Sequence, residues 1–166
     1  MDERIVALNT WLSAHHGVIT RSGLMSRGFS RSSVVALTRS GRLVPMWRGV
    51  YRSGAVPPGP MQVMTAVCQQ HADVAIGFTT AGREWGFRHM TDAQIHVLVP
   101  HALTPTVPGV VIHRCRRIDP VDVALPRSDG IRLTSPPRTL FDCAAILDDD
   151  QTASVIEQAV ADRRCT

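Results

Sequence analysis

Apolar residues recur at helical spacing in the first part of the chain and at strand spacing later on. In residues 3–14, Ile5, Leu8 and Leu12 fall on one side of a helix, which predicts an amphipathic helix. Two short apolar segments follow, each bounded by a hydroxyl residue and a glycine. After these segments the pattern is that of strands. Leu43–Trp47 and Val50–Arg52 predict two strands around a turn at Arg48 and Gly49.

The two short segments have the boundaries of helices. Thr20 and Ser30 are predicted N-caps, and Gly28 and Gly41 are predicted to end the helices that follow them. An apolar residue precedes each cap and another follows four positions after it, as in a hydrophobic staple. A helix, a turn of about three to four residues and a second helix form a helix-turn-helix, and the two strands would be its wing.

The second of these helices has two different faces. Val34, Leu37 and Thr38 share one side, whereas Ser32, Ala36 and Arg39 share the other, which suits close approach to a major groove. We therefore predict groove contacts from the helix and phosphate or minor-groove contacts from the wing. The predicted contact residues are Arg31, Ser32, Ser33 and Arg39 on the helix and Arg42, Arg48 and Arg52 in the wing. A helical hairpin and ribbon that only pack onto the rest of the chain remain an alternative.

Residues 53–60 contain three prolines and two glycines and are the predicted linker between two domains, 1–54 and 61–166. The second domain reads as helices and strands in alternation, so the predicted fold class is α+β: a winged helix-turn-helix followed by a small mixed α/β domain with an antiparallel sheet. Residues 94–100 and 109–115 are predicted to form an antiparallel hairpin with a long connection. The other predicted strands are 74–76, 121–125 and 131–134. The other predicted helices are 60–71, 79–85, one beginning at Ser135 with Leu140, Phe141, Ala144 and Ala145 as its apolar face, and one over 148–164.

Positive charge is concentrated in the first third of the chain. Residues 1–54 hold eight arginines and two acids, a net charge of +6, whereas the remainder carries −2. Such a cluster on a small helical unit is typical of a polyanion-binding surface. All eighteen basic residues are arginine, which excludes a Walker A loop, Schiff-base catalysis and a carboxylate-x-Lys nuclease motif within these residues.

Metal and catalytic sites are not expected. The four cysteines are widely spaced, His113 and Cys115 supply only two ligands, and His15 and His16 suit a helix C-terminus. A carboxylate–histidine site could in principle combine Asp119, Asp122, Asp142 and Glu157 with His96 or His113. The simpler interpretation is that these acids lie at the surface, on turns and helix ends. No cofactor is predicted. The chain begins without the features of a signal peptide and has no apolar run near the ~20 residues of a membrane span, so a cytoplasmic location is expected.

The sequence resembles the AbiEi-type antitoxins of bacterial type IV toxin–antitoxin systems. The most specific matching piece is GFSRSSVVALTRSGRLVPMWRGVYRSG, and the others are AIGFTTAGREWGF, IHVLVP, VVIHRCRR and GIRLTSPPRTLFDCAA. The resemblance implies a winged helix that represses its own operon at inverted repeats of duplex DNA, with two copies bound. It also implies a second domain needed for antitoxicity and a nucleotidyltransferase-like toxin as partner.

Two departures from the family pattern affect what can be carried over. Longer relatives continue into an endonuclease-like domain that these 166 residues lack, so no nuclease activity is expected here. Gly82 stands in a predicted helix where the family pattern prefers alanine, at a cost of roughly 1 kcal/mol. The alternative is a truncated relative of a nuclease-fused protein that acts as a protein-interaction module without regulatory DNA binding. In that case residues 60–166 would bind a toxin or an RNA. Single-stranded RNA is disfavoured because aromatic residues for base stacking are scarce.

Overall fold

A computed structural model describes residues 2–124 and 127–165. The chain divides into two compact units, the first running to Ala72 and including Ser128–Gly130, the second comprising Asp73–Arg127 and Ile131 onward. No helix in the described part of the chain is both long and apolar enough to cross a bilayer.

The first unit contains four helices and a three-stranded sheet. The helices are α1 (Glu3–Ala14), α2 (Arg21–Met25), α3 (Arg31–Arg39) and α4 (Pro60–Gln70). The strands β1 (Val18–Thr20), β2 (Leu43–Trp47) and β3 (Val50–Ser53) pair antiparallel in the order β1-β3-β2. Pro45 therefore lies on an edge strand, where its missing N–H is tolerated. This architecture confirms the predicted winged helix-turn-helix, and β1 is the one strand of this sheet that the sequence analysis did not predict.

A single apolar core holds α1, α2 and α3 against this sheet. Its members come from every one of these elements: Leu8, Leu12, Ile19, Leu24, Phe29, Val34, Leu37, Leu43 and Tyr51. Ile19 and Leu24, the predicted staple of α2, are both completely buried. Burial of this kind stabilises short helices that would be marginal by themselves.

Helix α4 lies in the first unit, although the predicted boundary at 53–60 assigned it to the second domain. It packs against β1 and β3, and Ala66 joins Val18 and Val50 in a second small apolar cluster. The prolines and glycines of 53–60 therefore make a turn within the first unit instead of separating two units. Backbone hydrogen bonds tie this turn down, from Ser53 N to Gly17 O and from Gly54 N to Arg42 O.

The second unit contains a three-stranded sheet and three helices. The strands are β4 (Ala75–Ile76), β5 (Ile95–Pro100) and β6 (Val110–Cys115), and the helices are α5 (Phe78–Glu84), α6 (Pro136–Cys143) and α7 (Asp149–Ala161). The pairing of β4 with β5 is antiparallel, in keeping with the predicted antiparallel sheet. The pairing of β5 with β6 is parallel, so the sheet is mixed. The predicted antiparallel hairpin of β5 and β6 is therefore wrong, and residues 101–109 instead carry the chain back along the full length of β5.

Three further predictions in this unit need correction. Residues 121–124 do not form the predicted strand: Pro120–Asp122 form a 3₁₀ turn, and the end of that prediction at Leu125 lies outside the described residues. Ile131–Thr134 is also not a strand of the sheet, but hydrogen bonds from Ile76 N to Arg132 O and from Thr134 N to Ile76 O align it beside β4. Helix α6 buries Thr139, Asp142 and Cys143. Of its predicted apolar face, Leu140 packs against an apolar cluster, but Phe141, Ala144 and Ala145 are exposed, so most of that face is wrong.

Candidate nucleic-acid interface

The hydroxyl caps of α2 and α3 are formed as predicted. Thr20 Oγ1 accepts from Gly23 N at 3.1 Å, and Ser30 Oγ accepts from Ser33 N at 3.1 Å. Gly28 and Gly41, which follow the two helices, have φ values of +78° and +73°, a conformation that favours glycine. These caps set where α3 begins and ends, and hence which of its side chains point away from the core.

Helix α3 turns one apolar edge to the core and leaves the opposite face exposed. Val34 and Leu37 are buried, and Thr38 is half-buried with its hydroxyl bonded to the carbonyl of Val34. Four exposed residues lie on that opposite side, which we call the outward face of α3: Ser32, Val35, Ala36 and Arg39. The predicted division of the helix is therefore confirmed, and Val35 is the member that the sequence analysis did not single out.

The two predicted serine contacts differ from each other. Ser32 is exposed, and its hydroxyl lies 2.8 Å from Ser30 Oγ. Ser33 is half-buried, at the edge of the helix, and its hydroxyl lies 2.9 Å from the same oxygen. Both hydroxyls thus take part in the cap, and Ser32 is the one better placed to reach a ligand.

The wing is a short hairpin with Arg48 at its tip. Gly49 follows Arg48 with a φ of +78°, which permits the tight turn between β2 and β3. Gln70 of α4 holds this hairpin from behind, because its amide accepts from Trp47 Nε1 at 2.7 Å and donates to Arg48 O at 3.3 Å. The Arg48 side chain is left exposed on a supported turn.

Four of the five predicted arginine contacts have exposed, unengaged side chains. Within residues 2–124 and 127–165, Arg31, Arg39, Arg42 and Arg48 make no side-chain hydrogen bond or ion pair. Arg52 differs: its guanidinium donates to Ser53 O at 3.2 Å and to Val56 O at 2.9 Å. Arg52 therefore holds the turn after β3 through its Nη1 atom, and its contact with a phosphate stays a prediction.

Other arginines of the first unit have structural roles that a charge count does not reveal. The Arg4 guanidinium pairs with Asp2 at 2.8 Å, and this bond lowers the pKa of the Asp2 carboxyl. Arg27 lies over the Trp11 ring at 3.8 Å and donates to Gly23 O.

Arg21, at the first position of α2, is exposed and was not among the predicted contacts. The cap at Thr20 was the available signal, since it puts Arg21 on the first turn of the helix.

The histidines after α1 serve the local fold. His15 Nδ1 lies 2.9 Å from Trp11 O, and its ring stacks on Trp11 at a centroid distance of 3.6 Å. His16 pairs with Asp129 at 2.9 Å. Among the described residues no group of three or more histidine, cysteine or acidic side chains is arranged to hold a metal ion.

The acids considered for catalysis either pair with arginines or lie exposed in the second unit; Asp119 pairs with Arg117. Asp122 and Asp142 both bind the Arg138 guanidinium, at 3.0 and 2.9 Å, whereas Glu157 is exposed on α7. Burial raises the pKa of the Asp142 carboxyl, and Arg138 opposes that change. Asp122 and Asp142 therefore bind one arginine, and in the described part of the chain none of these acids pairs with either histidine.

The two histidines instead form a chain with an acid that was not predicted. Asp92 Oδ2 lies 2.7 Å from His96 Nε2, and His96 Nδ1 lies 2.8 Å from His113 Nε2. Phe78, with a φ of +51°, stacks on the His113 ring at 3.5 Å. In the parallel register of β5 and β6, positions 96 and 113 lie on the same face of the sheet. The contact between His96 and His113 was not predicted because the two strands were expected to run antiparallel. The pKa of His113 is lowered, mainly by burial and to a smaller extent by the charge of His96.

The geometry of the first unit defines a class of protein: a winged helix-turn-helix with an exposed helix face and with unengaged arginines on helix and wing. A family model described as transcriptional regulator, AbiEi antitoxin, matches residues 6–54. This match confirms the antitoxin resemblance for the part of the chain that forms α1 to β3, and the matched family is one of regulators and not of enzymes. No curated protein matches the sequence.

The fold has a solved counterpart. The crystal structure of the Rv2827c protein from Mycobacterium tuberculosis aligns with a TM-score of 0.58, covering 95 % of this chain and 68 % of that one. Sequence identity is 20 %, so the likeness shows the α+β fold and nothing about activity.

Proposed function

We propose that this chain is a DNA-binding transcriptional regulator that represses its own operon and acts as the antitoxin of a type IV toxin–antitoxin pair. One observation carries the proposal: a capped recognition helix and a supported wing present four free arginines on one small unit. The match of residues 6–54 to a family of antitoxin regulators supports it. Catalysis is not part of the proposed function, and operator binding implies a cytoplasmic location.

The proposed contacts have different tasks. Arg39 lies on the outward face of α3 and would read a guanine through its two acceptors, whereas Arg48 would hold a phosphate from the wing. Arg31 and Arg42, at the two ends of α3, would bind backbone phosphates, and Ser32 would add a hydrogen bond in the groove. Because one winged helix covers a short site, two copies on an inverted repeat are proposed.

Binding to duplexes tests this division of tasks. A specific site is first selected from random duplexes with the full chain, and a scrambled duplex serves as comparison. Arg39→Ala should lose about 1–3 kcal/mol on the selected site and relax specificity at one base pair. Arg48→Ala should weaken binding to both duplexes alike and lower the salt slope by about one. Arg116→Ala, which removes an exposed arginine of the second unit, is the matched control.

Three results would count against the proposal. Failure of the full chain to bind any duplex at low ionic strength would overturn DNA binding itself. Identical behaviour of Arg39→Ala and Arg48→Ala would overturn the assignment of helix and wing. An equal loss in Arg116→Ala would show that net charge alone accounts for binding.

A second candidate function, partner binding through the second unit, is favoured by exposed apolar side chains. Val121 is 81 % and Phe141 76 % exposed, and Ile156 and Val160 are exposed on neighbouring turns of α7. Single exposed apolar residues are ordinary, so the proposal needs a direct test. The nucleotidyltransferase-like toxin implied by the antitoxin resemblance is the proposed partner. If it binds there, Phe141→Ser should abolish protection from the toxin in co-expression while operator binding is unchanged.

A further inference from the structure

The outward face of α3 is not entirely polar. Val35 is 47 % exposed and lies between Ser32, three residues before it, and Arg39, four residues after it. Residues three and four apart are neighbours on a helix surface, so these three side chains form one continuous strip. Ala36 borders the same strip. The face proposed to enter the groove thus has an apolar centre with a hydroxyl on one side and a guanidinium on the other.

Val35 is the apolar, β-branched residue at the centre of the face proposed to enter the groove. The Val35 side chain is only about half covered in the free protein, and valine is a weaker helix former than alanine or arginine. Its branched side chain has essentially one rotamer in a helix, so its two methyl groups are held in a fixed position. A rigid apolar surface suits recognition of an apolar group on the ligand.

The major groove offers one apolar group among the base edges, the 5-methyl of thymine. We propose that Val35, with Ala36 beside it, reads thymine 5-methyl groups in each half-site of the operator. This inference rests on the proposed function. Val35 and Arg39 are one helical turn apart, about 6 Å along the axis. A thymine contacted by Val35 should therefore lie within about two base-pair steps of the guanine read by Arg39, given the ~3.4 Å spacing of bases.

Replacement of thymine by deoxyuridine removes this methyl group and leaves base pairing intact. With the selected duplex and the full-length chain, substitution at the contacted thymine should weaken binding about fourfold, the effect of burying one methyl group. The same substitution in a duplex bound by Val35→Ala should have little effect, because the methyl group has lost its partner. Val35→Thr, which keeps the shape and one methyl, should respond to an intermediate extent.

Val6→Ala is the matched control, since Val6 is 46 % exposed on α1 and also lies on a helix. It should bind both duplexes as the unsubstituted chain does. Because Val35 is about half exposed and alanine is the better helix former, Val35→Ala should not lower the melting temperature, which separates recognition from folding.

The results distinguish this inference from the proposed function. Absence of binding to every duplex would overturn the function and the inference together. Binding that no deoxyuridine substitution weakens would overturn the inference and leave the function standing. A deoxyuridine penalty of equal size in Val35→Ala would also overturn it, because another residue would then contact the methyl group.

Discussion

Gly54 is the residue at which the first unit leaves the least space. A Cβ built on Gly54 would lie 2.0 Å from the carbonyl oxygen of Gly41, and this neighbour is backbone, which cannot rotate away. Gly54 N also donates to Arg42 O, so the two segments are fixed to each other. The sequence marks position 54 only as part of a turn-rich stretch, and the contact with residue 41 becomes visible only in three dimensions.

Gly54→Ala should therefore destabilise the protein by about 3 kcal/mol, at the upper end of the range for overpacking. Thermal unfolding followed by circular dichroism measures this. Gly59→Ala is the control, because nothing lies within 4 Å of its Cβ position and its φ is negative. Equal melting temperatures for Gly54→Ala and the unsubstituted chain would contradict the close approach.

His113 makes the stability of the second unit depend on pH. Burial and His96 lower the pKa of His113, whereas in the unfolded chain it titrates near 6.5. Around and below that pH the unfolded chain binds more protons than the folded one, so stability is fully present above pH 6.5 and falls as pH decreases through the folded pKa.

Urea unfolding between pH 5 and pH 8 checks this dependence. His113→Gln should show a flatter profile than the unsubstituted chain, because glutamine does not titrate. The exposed His101→Gln should keep the original slope. Because burial also lowers the pKa of His71 in the first unit, some slope should remain in His113→Gln. A slope that His113→Gln leaves unchanged would assign the whole effect to other groups.

At the scale of elements, Gly82 shows how packing can outweigh propensity. Helix propensity alone favours alanine over Gly82 by roughly 1 kcal/mol. In the structure, however, a Cβ at this position would lie 2.6 Å from the Sδ of Met90, which packs against α5. Gly82 and Met90 therefore fit as a pair, which gives a physical reason for the departure from the family pattern.

A double-mutant cycle tests this pairing. Gly82→Ala alone should destabilise the chain by about 1 kcal/mol, because the flexible methionine can move only in part. In a Met90→Ala background the same substitution should stabilise by about 1 kcal/mol, since only the helix propensity remains. Stabilisation of that size in both backgrounds would mean that Met90 does not restrict position 82.

Local signals predicted the elements well and their arrangement less well. Caps, glycines and apolar spacing are properties of neighbouring residues, so α1, α3 and the wing hairpin were predicted from the sequence. The direction of β6 relative to β5 depends instead on the route of residues 101–109, which carries no local signal. The buried face of α6 was also missed, because Asp142 is buried through its bond to Arg138 and not through hydrophobicity.

The same limit applies to the candidate interface. Charge clustering and cap positions predicted Arg31, Arg39, Arg42 and Arg48, which the structure leaves exposed. The intramolecular bonds of Arg52 were not predictable, because its acceptors are carbonyl oxygens that any sequence could supply. Val35 was missed because an apolar residue on a short helix is normally assigned to the core.

At the scale of the whole molecule, the first unit extends beyond the segment that the family model matches. The family match ends at residue 54, yet α4 covers Val18 and Val50, which are completely buried. Met46 and Trp47 of the wing pack on the same cluster, and Trp47 also bonds to Gln70. The wing proposed to bind phosphate is thus supported by a helix outside the matched segment.

A fragment of residues 1–72 should therefore fold and bind DNA, whereas a fragment of residues 1–54 should not. Loss of α4 exposes two valines, and the burial of each stabilises the folded state by about 1.5–3 kcal/mol. The free energy of unfolding of a small unit is about 5 kcal/mol in total, so this loss should unfold it. Thermal unfolding should be cooperative for 1–72 and absent for 1–54, and binding to the selected duplex should follow the same order.

Ala66→Asp in the 1–72 fragment provides the matched control, because a carboxylate placed against Val18 and Val50 should mimic removal of the helix. Both fragments lack Asp129, so loss of its bond to His16 affects them equally and cannot cause the difference. If residues 1–54 alone unfold cooperatively and bind the duplex as tightly as 1–72, α4 contributes nothing to the DNA-binding unit. In that case the boundary lies at the prolines, where the sequence alone would place it.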